Sequence, residues 1–369
     1  MGRIITQSVG VDTPIIGLPG SIKFEKIFNN SPFGRLAGNS TGLVYIDVNG
    51  VIFAYGAQDS SFNTDPNGLT AHPPANLKKS KYVAFGSGIG NGPCIAVHED
   101  GTITEWGYRQ FYLYYPSYQL NGWQGGGSPT LVGENSNFIK VVGAGSGAIV
   151  TEFVMIGLKS NGDILSWGIM FAVNIPLLNT FKNAKDIAAG RKYVIILKND
   201  GTVTNGTLNA SNVFQRFVAG STGNSSLANT QIPAELTNVS SIVGGEDHVL
   251  ALKGDGTVVA WGKNTDGQST VPVGLNNVVQ IAAGYDHSLA LKSDGTVVAW
   301  GKNTNGQCNI PTSATNIASI YAWGNSSGAI SNYGEFIFWG LDTWSTNPNN
   351  PFQAQNWKRV IISNRLILN

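Results

Sequence analysis

Short apolar runs of about five residues, broken by polar turn pairs, recur along the whole chain, and they are clearest between Ile242 and Pro311. There one sentence is written twice: IVGGEDHVLALKGDGTVVAWGKNTDGQSTVP, then IAAGYDHSLALKSDGTVVAWGKNTNGQCNIP, with His248 and His287 holding the same place 39 residues apart. Leu289 to Lys292 and Thr296 to Trp300 are runs of β-formers around Ser293 and the pair Asp294-Gly295. Asp-Gly readily supplies the positive φ values of a type I′ turn, so the pattern predicts a β-hairpin closed in that way. Val278 to Ala283 predicts a third strand ahead of it, narrowing to Ala-Ala-Gly where units crowd towards an axis. A Trp closing the last run hides about 150 to 250 Å², worth roughly 4 to 6 kcal/mol before entropy is charged. One such small sheet cannot cover both faces alone, so the units must stack.

With that template the rest of the chain falls into register. The Trp-Gly landmark recurs, sometimes degraded, at Tyr55-Gly56, Trp106-Gly107, Trp167-Gly168, Ala219-Gly220, Trp261-Gly262, Trp300-Gly301 and Trp339-Gly340. The hairpin turn recurs at Asn49-Gly50, Asp100-Gly101, Asn161-Gly162, Asp200-Gly201, Asp255-Gly256, Asp294-Gly295 and Tyr333-Gly334. Trp357 to Asn369 reads as the first two strands of a further copy, and Arg3 to Gly10 as its missing third. Pairing these ends would protect two open sheet edges. The expectation is an all-β chain, a single closed β-propeller over 1–369, with short three- to four-stranded blades. Eight blades are expected, one of them shared by the termini; seven is the alternative if Arg3 to Gly10 is an arm.

The string HSLALKSDGTVVAWGKNTNGQ, His287 to Gln307, resembles the regulator of chromosome condensation repeat, a β-propeller family that commonly has seven blades. The short spacing and sparse fourth strand resemble most closely its bacterial variants, which include the β-lactamase inhibitor protein II type. That resemblance implies the fold. It implies little about function, since propellers host unrelated tasks.

Departures from the template mark where function is expected. Long linkers are read at 57–81 and 108–141, and an insertion lengthening a hairpin at 204–217. The second linker reads YRQFYLYYPSYQLNGWQGGGSPT, and Tyr108, Arg109, Phe111, Tyr112, Tyr114, Tyr115, Tyr118 and Trp123 form its candidate contact surface. Tyr, Trp and Arg dominate binding hot spots, and aromatic faces stack on sugars. Folding back over the rim, or sealing a second copy, is the structural alternative for the same residues.

Composition narrows the classes. Net charge is +1 and charged residues make up 12%, with Lys and Arg scattered along the sequence, which argues against nucleic acid as a partner. Cys94, placed just ahead of a strand, and Cys308, in a linker, are read as unpaired thiols. No apolar run is long enough to cross a bilayer as a helix, and MGRIITQSVG lacks the regions of a secretory signal. His248 and His287 follow Asp247 and Asp286, but the same place in two copies makes them structural. Asn264 to Gln268 partly mimics a calcium loop yet lacks its first Asp and distal Glu, and is read as a turn.

No cofactor, metal or catalytic residue is expected, and the chain is read as a non-enzyme. The leading expectation is a binding or structural propeller of a bacteriophage particle, a tail, fibre or decoration protein engaged in assembly or host adhesion through rim loops. Its partners would be other virion proteins or a host surface receptor, protein or glycan, with no membrane insertion, and homo-oligomers within the particle fit that setting. Localisation would be the virion, released by lysis. The alternative is a soluble cytoplasmic regulator that caps a protein partner, as exchange factors for small GTPases or β-lactamase inhibitors do.

Overall fold

The computed structural model describes residues 36–38, 42–46, 50–56, 77–85, 94–106, 136–144, 153–170, 173–190, 193–205, 231–333, 335–341 and 360–361. These residues form seven antiparallel sheets. The first is Leu36–Gly38 (β1), Gly42–Ile46 (β2) and Ile52–Gly56 (β3); the second is Ser80–Phe85 (β4), Cys94–His98 (β5) and Ile103–Trp106 (β6). The third is Phe138–Ala144 (β7), Phe153–Lys159 (β8) and Ile164–Met170 (β9), with Val173–Phe181 (β10) as a fourth strand. Ala184–Ala189 (β11), Val194–Lys198 (β12) and Val203–Asn205 (β13) make the fourth sheet. The fifth is Val239–Gly244 (β14), His248–Lys253 (β15) and Val258–Gly262 (β16); the sixth is Val278–Ala283 (β17), His287–Lys292 (β18) and Val297–Gly301 (β19). Ile317–Trp323 (β20), Ser326–Ser331 (β21) and Glu335–Gly340 (β22) form the seventh, extended by Val360–Ile361 (β23). Strands of a sheet follow in chain order, which fits blades of three to four strands.

The core lies between sheets rather than within them. Along β15, Val249 and Ala251 pack with Ala188, Ile195 and Leu197 of the preceding sheet, while Leu250 and Leu252 pack with Val278, Ile281 and Ala290 of the following one. Alternate side chains of a strand point to opposite faces, so a middle strand buried on both faces must be apolar throughout. Four terminal Trp side chains pack backwards: Trp106 on the first sheet, Trp261 on the fourth, Trp300 on the fifth and Trp339 on the sixth.

Backbone bonds join the sheets end to end. The carbonyl of the hairpin glycine accepts from the first amide of the next inner strand: Gly50 from Ser80, Gly101 from Phe138, Gly162 from Ala184, Gly201 from Val239, Gly256 from Val278, and Gly295 from Ile317. Each of these inner strands carries a bulge immediately after that anchored residue, as between Val278 and Gln280. The anchor ties the strand to its neighbour, and the extra residue restores its pairing with its own sheet. Asn137, Asn183, Asn238, Asn277 and Asn316 precede five of these strands at φ between 52° and 66°, a left-handed turn that Asn tolerates.

Three expectations change. The hairpins are not two-residue type I′ turns: Gly256 N donates to Lys253 O and Lys253 N to Thr257 O, Gly256 lies at φ 79°, and Asp255 is absent from the positive-φ residues. That is a type I turn closed by a glycine bulge, in which the Asp turns its carboxylate back onto the Thr two residues on. β13 follows the Asp200-Gly201 turn directly, and most of the insertion expected at 204–217, from residue 206 on, lies outside the described residues, as does Ala219-Gly220. The first linker ends before Ser80 and the second before Phe138, and Cys94 opens β5 rather than preceding it. Finally, Val360–Ile361 pairs outside Glu335–Gly340 as a fourth strand, and β1 lies beside β20. Arg3 to Gly10, the other half of the expected shared blade, lies outside the described residues.

Candidate functional site

The candidate rim residues Tyr108, Arg109, Phe111, Tyr112, Tyr114, Tyr115, Tyr118 and Trp123 lie outside the described residues. Among those described, reactive side chains gather at the junctions between sheets, towards two ends of the strands.

At the hairpin end, Asp100, Asp200, Asp255 and Asp294 each accept the amide of the Thr two residues later, at 2.9 to 3.0 Å. Hydrogen bonds hold these carboxyls below their usual range, at Asp100 from Lys78 and then Thr102, and at Asp200, Asp255 and Asp294 from the Thr two residues on. The third sheet inverts the scheme: Asn161 donates Nδ2 to Asp163 Oδ2 at 2.9 Å and accepts Asp163 N at 3.0 Å. Lys140, Asp186 and Gln280, each the residue after an inner-strand bulge, reach sideways to a neighbouring sheet. Lys140 pairs with Asp186 of the next sheet at 2.6 Å. Burial works against the Lys140 charge, but Asp186 and Tyr82 outweigh it and raise its pKa. Gln280 spans the sixth and seventh sheets, donating Nε2 to Ile320 O at 2.8 Å and accepting Ile320 N at 3.0 Å.

At the opposite end the histidines act as staples. His248 and His287 are fully buried, and their Nε2 atoms lie 3.0 and 2.9 Å from Ser288 Oγ and Ser327 Oγ of the following sheet. Those hydroxyls donate onward to Gln268 O and Gln307 O, so each must accept from a neutral Nε2–H imidazole. Burial, above all, pushes His248 down to about 4 and His287 to about 3. Tyr193 holds the same place in the fourth sheet and donates to Gly245 O at 2.8 Å.

Each ring lies over the glycine three residues before it. A Cβ on Gly190, Gly245 or Gly284 would stand 2.1 to 2.2 Å from a ring carbon of Tyr193, His248 or His287. In the seventh sheet the space is filled the other way round. Trp323 stands where Gly284 does, Ser326 replaces His287, and the indole stacks on Phe338 at 5.8 Å.

Between the fifth and sixth sheets, Asp286 accepts Lys263 Nζ at 2.8 Å, Gln268 Nε2 at 3.2 Å and Lys302 Nζ at 3.5 Å. Burial opposes its ionisation, but the two lysines prevail and keep its carboxyl below the usual range. The loop that partly mimicked a calcium site is a self-contained turn: Asn264 Oδ1 accepts Ser269 N and Gln268 Oε1 accepts Asp266 N, both at 2.9 Å. Cys94 and Cys308 are free thiols, and burial pushes Cys308 up to about 11. Among the described residues no group of three His, Cys, Asp or Glu is placed to hold a metal ion.

The repeat pattern alone puts His248, His287 and the Asn264 loop in structural roles, and the geometry gives each of them such a partner. It does not reveal the Gln280 clasp or the Lys-Gln-Asp junction. The available signal was the repetition of Lys263, Gln268 and Asp286 one period on as Lys302, Gln307 and Asn325, with the last one changed.

Residues 239–268 and 278–307 match the model of the regulator of chromosome condensation (RCC1) repeat. No curated protein matches the chain significantly. Among solved structures, the CRINKLY WD40 ectodomain of the Arabidopsis thaliana receptor kinase ACR4 is similar with a TM-score of 0.55 at 15% identity, over 84% of this chain and 95% of that one. The ectodomain of the Physcomitrella patens receptor kinase CR4 gives 0.55 at 16%, over 83% and 73%. The BP39L lectin from Burkholderia pseudomallei gives 0.53 at 13%, over 83% and 95%. At these identities the likeness concerns the fold.

Proposed function

This chain carries the repeats of the regulator of chromosome condensation family, and we propose that it is a non-enzymatic binding ring of seven blades. The contact of β1 with β20 supports closure at seven, since each inner strand then has an inner strand on either side. β23 adds to the outer edge of the seventh blade and is not counted as part of another.

The observation that carries the binding reading is where the versatile side chains go. His248, His287, Tyr193 and Asp286 each bridge one sheet to the next, so the repeats act as a rigid frame. Variation from repeat to repeat falls instead outside the three common strands, in the added strands β10 and β23 and in the long linkers. A stiff frame with elaborated periphery suits recognition by shape.

The setting that best fits a chain poor in charge and without disulfide bonds among its described residues is a bacteriophage particle, in which the ring serves assembly or adhesion to a host receptor, protein or glycan. Repetition within a particle would let weak single contacts suffice. Mass spectrometry of purified particles from the source tests this: recovery in the virion is expected, whereas recovery only as free cytosolic protein removes it. The aromatic segment is tested by replacing Tyr112, Tyr114 and Tyr115 with Ser. Attachment or assembly should weaken while Tm holds; a large fall in Tm would assign these rings to packing.

The second reading is a soluble regulator that caps a protein partner. A stoichiometric complex in pull-downs against small GTPases or β-lactamases would favour it.

A further inference from the structure

Two Asn-Gly pairs lie wholly among the described residues, in similar turns that are held with very different firmness. Asn161-Gly162 sits in the hairpin of the third sheet, where Gly162 N donates to Lys159 O at 2.9 Å. Asn305-Gly306 sits in the linker that leaves the sixth sheet, where Gly306 N donates to Asn303 O at 3.2 Å. Both glycines have a positive φ, 83° and 77°. At the first pair the side chain is fastened twice: Asn161 Nδ2 donates to Asp163 Oδ2 at 2.9 Å and Oδ1 accepts Asp163 N at 3.0 Å. Gly162 O also accepts Ala184 N at 3.1 Å, and a Cβ on Gly162 would stand 3.0 to 3.1 Å from backbone atoms of Ala184 and Asn183. At the second pair Asn305 Nδ2 reaches Thr304 Oγ1 at 3.4 Å, an exposed contact, and a Cβ on Gly306 would meet the Asn309 carboxamide nitrogen at 3.4 Å. The Asn305 carboxamide can therefore swing onto the next peptide nitrogen at little cost, whereas that of Asn161 must first break two good hydrogen bonds.

We propose that Asn305 is a modification site, at which the chain deamidates itself with the Gly306 nitrogen as nucleophile. Asn is among the thermolabile residues, and a following Gly leaves its amide nitrogen unshielded by any Cβ. Gly306 N attacks Cγ of Asn305; the N–Cγ bond forms, the Cγ–Nδ2 bond breaks, and Nδ2 leaves as ammonia with the proton of the Gly306 amide. Water then opens the cyclic imide on either side. Attack at Cγ gives aspartate, and attack at the backbone carbonyl gives isoaspartate, whose main chain runs through the former side chain. Nothing is oxidised or reduced, and water is the co-reactant.

The fold receives the two products differently. Aspartate at 305 reproduces the preceding linker, where Asp266 holds the same place: Asp266 N donates to Gln268 Oε1 at 2.9 Å as Asn305 N does to Gln307 Oε1 at 2.8 Å. Thr270 N donates to Gly267 O, and Asn309 N to Gly306 O, both at 2.9 Å. Isoaspartate instead adds a methylene to the main chain two residues before Gln307. That residue is fully buried, and its carbonyl accepts Ser327 Oγ and Trp339 Nε1 of the seventh sheet at 2.8 and 2.9 Å. Close-packed surroundings leave no slack for the extra atom, so the clasp between the sixth and seventh sheets loosens. The linker thus carries a slow, irreversible timer on one junction of the frame.

The test is site-resolved peptide mapping of the folded chain held at mildly alkaline pH and physiological temperature. Asn305 should convert at least about tenfold faster than Asn161, and hydroxylamine, which cleaves the imide, should cut after Asn305 before it cuts after Asn161. Equal rates at the two sites, or an Asn305 that stays intact in the folded chain while the same chain in urea converts, overturns the proposal. The consequence is read as Tm. Aged wild type should melt about 2 to 4 °C below fresh protein. Asn305→Gln, whose longer side chain closes the imide poorly, should escape that part of the fall; other Asn-Gly pairs age alike in both chains and cancel in the comparison. Fresh Asn305→Asp should melt within about 1 °C of wild type. An aged wild type no weaker than aged N305Q, or a fresh N305D as weak as the aged wild type, overturns the timer.

Discussion

Gly284 and His287 form a pair whose coupling can be worked out from distances. A Cβ at Gly284 would lie 2.1 Å from His287 Cε1, 2.5 Å from Nδ1 and 2.8 Å from Gly324 O. Gly284 is not among the positive-φ glycines, so Gly284→Ala is not opposed by its own backbone dihedrals, and its effect is crowding, chiefly of the imidazole and secondarily of the Gly324 carbonyl. Overpacking of this kind costs about 1 to 3 kcal/mol. If the ring is pushed off Ser327, a buried hydrogen bond is lost as well, for about another 1 kcal/mol. With unfolding entropy near 2.1 cal/mol/K per residue, a chain of 369 residues changes Tm by roughly 1 °C for each 0.8 kcal/mol, so G284A should lower Tm by about 3 to 5 °C. His287→Ser removes both the ring and its bond and is destabilising by itself. The double variant, however, reproduces the small-side-chain solution of the seventh sheet, where Ser326 leaves room for Trp323. It should therefore lie above the sum of the single effects by at least about 1 kcal/mol, measured as a double-mutant cycle by calorimetry. Additive single effects, or a G284A chain that melts within about 1 °C of wild type, would refute the steric coupling.

Further predictions rest on the same junctions. Since His248 and His287 stay neutral down to about 4 and 3 against an ordinary 6.5, the unfolded chain binds protons that the folded one refuses; stability is complete above pH 6.5 and falls as pH drops towards those values. Thermal melts from pH 7.5 to 4.5 should show that decline, and H287S should flatten it; an unchanged slope would mean the ring titrates freely. Gln280→Leu strips both partners from the Ile320 backbone and should cost about 2 to 4 kcal/mol in urea melts, with the seventh sheet losing amide-exchange protection first. Asn161→Asp turns a donor towards Asp163 into a second carboxylate and should lower Tm by about 1 °C at pH 7. Adding Asp163→Thr rebuilds the Asp-Gly-Thr turn of the other sheets and should restore that loss; a double variant no better than N161D would count against the turn scheme.

Much of this fold was legible in the chain because its signals are local. Strands, hairpins and their order follow from period-2 apolar runs, Asp-Gly pairs and a closing Trp within a few residues of one another, and the identical sites of His248 and His287 marked them as structural. Turn type was not legible from the Asp-Gly pair, which is compatible with two hairpins; the Thr that follows the glycine favours the one in which it caps the Asp. The roles of Gln280, Lys140 and Asp286 were not legible either, since each has its partner one repeat away, across a boundary that a repeat pattern treats as equivalent everywhere. The sequence by itself determined a row of near-identical small sheets. Only the tertiary structure decided which sheet each side chain serves, because bonds between neighbours depend on both members of a pair. Gln268 grips Asp286 at one junction, whereas at the next the chain carries Gln307 and Asn325 in the corresponding places, and that difference has physical meaning only when the two sheets are side by side.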